Sequence, residues 1–217
     1  ADLAKGFHCP EDIVRIYPLP RVDILTDASY KQEMRKKLYQ KYPILKEKQV
    51  ILYVPTFRKK ETMMQTYVDK LCDALYDDQI LVVKRHPLSK LTIHNPHVLV
   101  DTSFTSFDML FVADAVISDY SCIIYEAALL NIPLYFYNFD MQNYTGKRGL
   151  AIDYENELPG VISKDPKVII DSIEKEPYDM GELQRFCKKY VVYDGNTSLH
   201  IADFILNLMK EGNDAHE

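Results

Sequence analysis

Short polar clusters follow five apolar runs of this chain, each at the point where the run ends. The clusters are Pro55-Thr56-Phe57-Arg58, Lys84-Arg85-His86-Pro87, Asp101-Thr102-Ser103, Ser118-Asp119-Tyr120-Ser121 and Asn138-Phe139-Asp140. Hydroxyl, imidazole and guanidinium groups donate hydrogen bonds to phosphate oxygens, and guanidinium does so with two parallel bonds. These residue types predict an anion site if the fold brings the clusters together.

The cluster from Ser118 to Ser121 lies between an apolar run and a helical pattern. Ser121 is a good N-cap for a helix at 122–130, and in one interpretation the cluster is only a turn and its cap. In the other interpretation, free N–H groups and the helix dipole attract a phosphate, and the small hydroxyls add donors. Glu126 then lies where a ribose hydroxyl pair would bind; otherwise it is a solvated helix glutamate.

Two basic clusters offer further donors. His86 stands between Arg85 and Pro87, and the proline stiffens the backbone. The Arg85 and His86 side chains are therefore held in a fixed geometry, in which both can donate hydrogen bonds to a phosphate oxygen where charge develops. The alternative is a hydrogen-bonded loop histidine. Arg58 is predicted to bind phosphate with two bonds, or else to be a surface arginine in a basic run. Thr56 and Asp119 are expected to shape the pocket.

Strand and helix patterns alternate along the chain and position these clusters. Strands are predicted at 14–17, 49–54, 80–83, 97–100, 115–117 and 134–137, with helices at 29–42, 61–76, 105–113 and 121–130. Runs that are apolar on both faces are typical of strands between two helix layers. The alternation therefore predicts an α/β fold with a doubly wound parallel sheet.

Three more helices, at 166–174, 180–191 and 198–210, are predicted in the polar last part of the chain. We expect a single domain, residues 1–217, with a helical tail from about 165. In an open parallel sheet the carboxyl ends of the strands share one edge, where ligands bind. All five polar clusters are thus expected on the same edge.

Composition narrows the class of protein. The chain has 217 residues, a net charge of −6 and a pI near 5.5, so nucleic-acid binding is not expected. Four scattered cysteines favour a reducing cytosol over a disulfide framework or a zinc site. Asn95-Pro96 breaks any helix between His94 and His97, so these two histidines are not expected to bind a metal. No apolar run approaches the roughly 20 residues of a membrane span. The chain begins with Ala, which indicates a processed product or an excised segment.

The chain contains neither a G-x-G-x-x-G motif nor a P-loop, so a nucleotide site must be built from side chains, and no cofactor is expected. Seven short motifs occur in an order that resembles the C-terminal domain of the CDP-glycerol glycerophosphotransferase family, the teichoic acid polymerases and primases. They are Pro20-Arg21-Val22-Asp23, Pro55-Thr56-Phe57-Arg58, Arg85-His86-Pro87, Ile117-Ser118-Asp119-Tyr120-Ser121, Lys147-Arg148-Gly149, Glu157-Leu158-Pro159-Gly160 and Asp194-Gly195.

The resemblance implies the Rossmann-like C-terminal half of a GT-B fold, which binds the nucleotide donor. It also implies a transferase that moves glycerol phosphate from CDP-glycerol to a hydroxyl of a teichoic-acid-like or capsule polymer, or of a lipid-linked acceptor, and releases CMP. His86 would donate to the diphosphate as the catalytic residue. The substrate-binding residues would be Thr56, Arg58, Arg85, Ser118, Asp119, Ser121, Cys122, Glu126 and Arg148.

The chain departs from the family pattern at three places. The His-Gly motif of the family's N-terminal domain, with the presumed general base, is absent, so this segment alone is expected to be inactive and to work with its own N-terminal domain. Cys122 stands where the family usually has a second serine, so the contact from this position to the donor is expected to be weaker. Leu199-His200 stands where the family commonly has an arginine, so no phosphate contact is expected there.

Three alternatives stay open. In the first, the donor is CDP-ribitol instead of CDP-glycerol. In the second, the domain belongs to a GT-B nucleotide-sugar glycosyltransferase or epimerase. In the third, it is a module that binds a nucleotide without catalysing a reaction. As part of a cell-wall polymer transferase, the protein is expected in the cytoplasm at the inner face of the membrane.

Overall fold

The structure is a computed structural model that describes residues 2–56, 58, 61–85, 92–145, 152–193 and 195–214. His86 and Arg148, two of the predicted site residues, lie outside the described residues. The chain forms two compact units. One contains the described residues up to Thr26 and from Val192 onward, and the other spans Asp27–Val191.

The larger unit is built on a six-stranded parallel sheet with the order β3-β2-β1-β4-β5-β6. The strands are β1 (Gln49–Val54), β2 (Gln79–Val83), β3 (Val98–Val100), β4 (Ala115–Ser118), β5 (Leu134–Tyr137) and β6 (Ile162–Ser163). β2 and β3 extend the sheet to one side of β1, and β4, β5 and β6 extend it to the other. The strand order reverses between β1 and β4, where Val54 lies opposite Ser118.

Ten α-helices are described in addition to short 3₁₀ turns. They are α1 (Asp2–Phe7), α2 (Asp23–Thr26), α3 (Ala28–Lys41), α4 (Glu61–Asp73), α5 (Ser106–Leu110), α6 (Ile123–Leu129), α7 (Met141–Thr145), α8 (Pro166–Lys175), α9 (Met180–Tyr190) and α10 (Thr197–Asp214). None of the helices in the described ranges is long and apolar enough to cross a membrane.

The core lies on the sheet itself. Every residue of β2, β4 and β5 is buried. Tyr53, Phe136 and Tyr137 are among the largest side chains that are completely enclosed. Burial on both faces is what parallel strands between helix layers require. The doubly wound parallel sheet predicted from the sequence is confirmed.

Local sequence explains where several helices of this unit begin. The Asp27 carboxylate accepts from the Ser29 and Tyr30 N–H groups at the start of α3. Thr105 and Asp108 form a reciprocal pair at the start of α5, in which each side chain accepts from the other residue's backbone N–H. Such caps satisfy N–H groups that the first helical turn leaves without partners.

Three predicted details are wrong or incomplete. Residues 14–17 are not a strand; Ile16 is 85% exposed, and Pro18 and Pro20, which both follow the segment, have no backbone N–H to donate to a neighbouring strand. Strand β6 was not predicted because it has only two residues. Helix α6 begins at Ile123 with Cys122 as its N-cap, one residue later than the predicted Ser121 cap.

In the smaller unit, Asp23 caps helix α10 from a distant part of the chain. Its carboxylate accepts from Thr197 N (2.9 Å), Ser198 N (2.8 Å) and Ser198 Oγ (2.6 Å). These bonds lower the pKa of Asp23 to about 2, with the Ser198 hydroxyl as the largest cause. The first and last segments of the chain are thereby joined.

Candidate functional site

The candidate site lies at the carboxyl ends of β1 and β4, where the strand order reverses. Thr56 follows β1 by two residues, and Asp119 follows β4 directly. In doubly wound sheets the connections diverge at this point and leave a crevice in which ligands bind. The structure therefore brings two of the predicted polar clusters side by side.

Asp119 joins the two strand ends. It is 1% exposed, and its carboxylate accepts from Thr56 N (3.0 Å), Thr56 Oγ1 (2.6 Å) and Tyr120 N (2.6 Å). Burial raises the pKa of Asp119, while the charge of Arg58 opposes that shift. A carboxylate with this many donors holds the β4–α6 turn in one conformation, in keeping with the predicted shaping role of Thr56 and Asp119.

Arg58 is occupied by protein groups in this arrangement. Its guanidinium donates to both Asp140 oxygens, to Asp119 Oδ2 (3.1 Å) and to the Thr56 carbonyl (2.8 Å). It also lies 4.8 Å from the centre of the Tyr144 ring. Burial lowers the pKa of Arg58, but the bonds to Asp140 and the charge of Asp119 more than compensate, so the pKa is raised. The surface-arginine alternative does not fit, because the side chain is 9% exposed.

The serines and the cysteine of the turn differ in accessibility. Ser118 is completely buried as the last residue of β4, and its hydroxyl finds no hydrogen-bond partner among the described residues. Ser121 is half-buried, and its Oγ accepts from Ile123 N at 3.5 Å. Cys122 is exposed, has helical dihedral angles, and its side chain forms no capping hydrogen bond. Ser121 and Cys122 are thus the positions that a ligand can reach.

Glu126 lies in the first turn of α6 and is 3% exposed. The alternative of a solvated helix glutamate is therefore wrong. Burial of an ionised carboxylate is costly unless the group is paired or hydrogen-bonded. The buried position is compatible with the predicted contact to a ribose.

Lys84 and Asp101 connect the ends of β2 and β3. The Lys84 ammonium donates to Asp101 Oδ2 (2.6 Å) and to the Asp101 carbonyl (3.0 Å), and both side chains are almost fully buried. Tyr42 OH also donates to Asp101 (2.7 Å). Arg85, next to this pair, is half-buried at the end of β2. Among the described residues, no three His, Cys, Asp or Glu side chains meet as a metal site would require.

Sequence reasoning missed residues that complete the site. Asp140 was placed on the correct sheet edge but was not assigned a role. Tyr154 donates to the Asp119 carbonyl (2.7 Å), and Tyr120 stacks on Tyr144 with ring centres 4.0 Å apart. The position of Asp140 after β5 indicates that it lies near the other residues of the site. No sequence pattern indicates Tyr154, which comes from a later loop.

Comparison with known proteins shows which sequences and structures the chain is similar to. Residues 3–207 match the family described as CDP-Glycerol:Poly(glycerophosphate) glycerophosphotransferase. The chain is 32% identical over 216 residues to a teichoic acid poly(ribitol-phosphate) polymerase of Bacillus spizizenii, covering 94% of this chain and 35% of that protein. It is 33% identical over 193 residues to a teichoic acid glycerol-phosphate primase of Bacillus subtilis, covering 85% and 50%.

A similar solved structure is that of a variant of the wall teichoic acid polymerase TagF soaked with CDPG. The TM-score is 0.76 at 24% identity, and the match covers 97% of this chain and 55% of that one. The GT-B-type fold is shared. The chain spans between about a third and a half of the length of these relatives.

Proposed function

The chain belongs to the CDP-glycerol:poly(glycerophosphate) glycerophosphotransferase family, and we propose that it binds the nucleotide donor of such a transferase. The donor is CDP-glycerol, and the reaction passes its glycerol phosphate to a hydroxyl of a teichoic-acid-like polymer with release of CMP. The remaining part of the enzyme, an N-terminal half, completes the active site. The family, the fold and the geometry at the strand reversal support this proposal.

One observation carries the assignment of the donor site. The turn from Asp119 to Cys122 stands at the strand reversal and is held there by buried bonds to Thr56 and Arg58. A preorganised turn on this edge loses little freedom when it binds a ligand, which favours affinity. The accessible Ser121 and Cys122 are the residues that such a turn offers to a phosphate.

The predicted residues then divide into those that contact the donor and those that support the turn. Ser121 and the backbone N–H groups beside it bind the diphosphate, and Glu126 on α6 binds the ribose. Arg85 and His86 reach the diphosphate from the end of β2, with Arg148 as a further anion contact. Cys122 lies at the same turn but is a poorer donor than a hydroxyl. Ser118, being buried, acts by supporting the turn.

The chemistry requires no nucleophile from this chain. The acceptor oxygen forms a bond to the phosphorus of the glycerol phosphate, the bond from that phosphorus to the CMP oxygen breaks, and CMP leaves. The protein aligns the two oxygens and stabilises the charge on the transferred group, as in phosphoryl transfer generally. The acceptor proton passes to a base in the other half of the enzyme, because no His-Gly motif occurs in this chain.

A second candidate donor is CDP-ribitol. It is favoured by the similarity to a poly(ribitol-phosphate) polymerase at 32% identity. Glycerol and ribitol differ only in the polyol, so both donors present the same cytidine diphosphate to the turn at 119–122. In either case the acceptor is a polymer or a lipid-linked chain, and the full-length enzyme works in the cytoplasm at the inner face of the membrane.

Calorimetric titration of this chain tests the proposal. CDP-glycerol, CDP-ribitol, CMP and UDP-glucose are titrated into the wild type and into Glu126→Gln, with Glu182→Gln as the matched control on α9. We expect a cytidine diphosphate ligand to bind, UDP-glucose not to bind, and Glu126→Gln alone to weaken binding. Preference for UDP-glucose would favour a glycosyltransferase or epimerase. Equal effects of the two Gln variants would move the donor site elsewhere.

A further inference from the structure

A local excess of positive charge distinguishes α3 and the segment that follows it. Residues 28–48 contain seven Lys and Arg residues against two Glu, although the whole chain has a net charge of −6. The basic residues are largely exposed on the described surface. This segment therefore carries a local excess of positive charge within a chain that is negative as a whole.

Part of this charge surrounds a cavity of about 390 Å³. Its basic and aromatic lining comes from Arg35 and Tyr39 of α3 and from Lys46 and Lys48, and Phe111 and Asp114 line it from the segment before β4. Its size is within the range of small-ligand sites. We call this space the basic cavity.

The basic cavity lies at the amino ends of the strands, opposite the donor site. Asp114, in its lining, accepts from Val50 N (2.7 Å) at the start of β1. The donor turn lies beyond the other end of that strand, next to Thr56, which is roughly 20 Å away along β1 at the usual rise per residue. The cavity is therefore a separate feature from the donor site.

The cations of the basic cavity are available for an anionic ligand. Arg35 Nη2 donates to Tyr39 OH (3.1 Å), and the Lys46 ammonium lies 5.4 Å from the centre of the Tyr39 ring. Within the described part of the chain, neither Arg35 nor Lys46 forms an ion pair with a carboxylate. Lys48 donates to the Asp77 carbonyl, which leaves its charge unneutralised.

We propose that the basic cavity binds phosphodiester units of a polyol phosphate chain, at a distance from the end of the chain that reacts. Arg35, Lys46 and Lys48 bind the phosphates, and Asp114 and the Tyr39 hydroxyl bond to the polyol hydroxyls. The inference rests on the proposed function, because the acceptor polymer is a chain of such units. Holding an internal unit keeps the reacting end near the enzyme and raises its effective concentration.

A membrane surface fits this region less well. Segments that lie on membranes insert large apolar side chains into the interface in addition to their basic residues. Between residues 28 and 48, all of which the structure describes, no large hydrophobic side chain is among the exposed ones. The cations and the carboxylate in the lining of the basic cavity are also better suited to a chain that carries both phosphates and hydroxyls.

Polymer binding by the purified chain tests the proposal. Poly(glycerol phosphate) of defined length is titrated against the wild type, Arg35→Ala/Lys46→Ala and the matched double variant Lys188→Ala/Lys210→Ala. Both doubles remove two exposed positive charges. We expect the first to weaken polymer binding at least tenfold and to reduce its dependence on salt concentration, and the second to change it less than twofold. Equal losses would overturn the assignment.

Two further titrations separate this proposal from the donor site. CDP-glycerol should bind Arg35→Ala/Lys46→Ala as tightly as it binds the wild type. Weaker binding of CDP-glycerol to this variant would show that the basic cavity is not independent of the donor site and would overturn the proposal. If CDP-glycerol binds no variant while the polymer still depends on Arg35 and Lys46, the donor assignment fails and the cavity stands. Phosphatidylglycerol vesicles form the last arm, and binding to them without binding to the polymer would assign the surface to a membrane.

Discussion

Arg58 and Asp140 form a two-bond ion pair between the segments that follow β1 and β5, with Nε to Oδ2 at 2.7 Å and Nη2 to Oδ1 at 3.1 Å. β4 lies between these strands, and its own following residue, Asp119, accepts from the same guanidinium. One arginine thus holds three strand ends together. This relationship makes Arg58 a positioning residue for the donor turn.

Replacing Arg58 should destabilise the protein and disturb the site. In Arg58→Ala, Asp119 and Asp140 remain buried without their cation, so we expect a loss of about 3–5 kcal/mol in urea unfolding. Arg58→Lys keeps the charge but lacks the planar guanidinium group, so it should recover only part of the lost stability. Arg185→Ala, whose side chain is 71% exposed, is the control and should change stability by less than about 0.5 kcal/mol. A similarly small loss in Arg58→Ala would contradict the positioning role.

Ser121→Ala should affect ligand binding more than stability. The Ser121 hydroxyl accepts from Ile123 N only at 3.5 Å, so the stability loss should be smaller than the ~1 kcal/mol of a true N-cap. Loss of one hydrogen bond to a charged diphosphate should weaken CDP-glycerol roughly tenfold or more. Cytidine, which has no phosphate, should bind both proteins equally in parallel calorimetric titrations. Equal losses for the two ligands would place the diphosphate elsewhere.

The Cys122 thiol can be tested at the same turn. Cys122→Ser exchanges a weak donor for a hydroxyl at an exposed position, so the fold should be unaffected. We expect CDP-glycerol to bind several-fold more tightly, by calorimetry, with no change for cytidine. Unchanged or weaker binding of CDP-glycerol would remove Cys122 from the diphosphate contacts.

Substitutions at Gly160 and Gly195 distinguish the cost of backbone strain from the cost of steric overlap. Both have positive φ, 86° and 83°, where a Cβ costs roughly 1–2 kcal/mol. At Gly160 a Cβ would overlap the Leu134 carbonyl and lie 2.9 Å from the Tyr178 ring, whereas at Gly195 no atom of the described residues would lie within 4 Å. Chemical unfolding should show the larger loss for Gly160→Ala, about 3 kcal/mol or more, since overpacking adds to the strain. Comparable losses would show that strain alone matters.

Helix α10 should loosen in acid. The folded-state pKa of Asp23 is lowered to about 2 from its ordinary value of 3.8. Its contribution to stability is therefore complete above pH 4 and is lost as the pH falls through about 2. Hydrogen exchange at the Thr197 and Ser198 amides should accelerate over this range. Asp23→Asn should show faster exchange already at pH 6, while Asp203→Asn on the same helix should not. Protection that is independent of pH and of Asp23 would refute this role.

His86 is tested in the full-length enzyme. If it donates to the diphosphate, His86→Ala should lower turnover by on the order of a hundredfold or more, the usual effect of losing one preorganised donor to developing charge. His94→Ala, an exposed histidine of the same connection, should leave CMP release unchanged. A rate equal to that of the His94 variant would make His86 an ordinary loop residue.

The class of fold and the edge of the sheet that carries the site could both be predicted from the order of the residues alone. Strands such as Gln49–Val54 and Leu134–Tyr137 are apolar on both faces, and this composition is stable only between two helix layers. Polar residues that directly follow such strands must lie on the carboxyl edge, whatever the strand order. The family motifs are local, so they too could be read along the chain.

Which of these residues meet, and which of them face a ligand, depends on how the chain folds in three dimensions. Arg58 pairs with Asp119 and Asp140 because β1, β4 and β5 are neighbours in the sheet, and strand order is a long-range property that periodicity does not contain. Ser118 is buried while Ser121 is half-buried, because the strand ends at one and the turn has begun by the other. Tyr154 reaches Asp119 from a later loop. Such contacts depend on how distant segments pack, so local residue preferences could not reveal them.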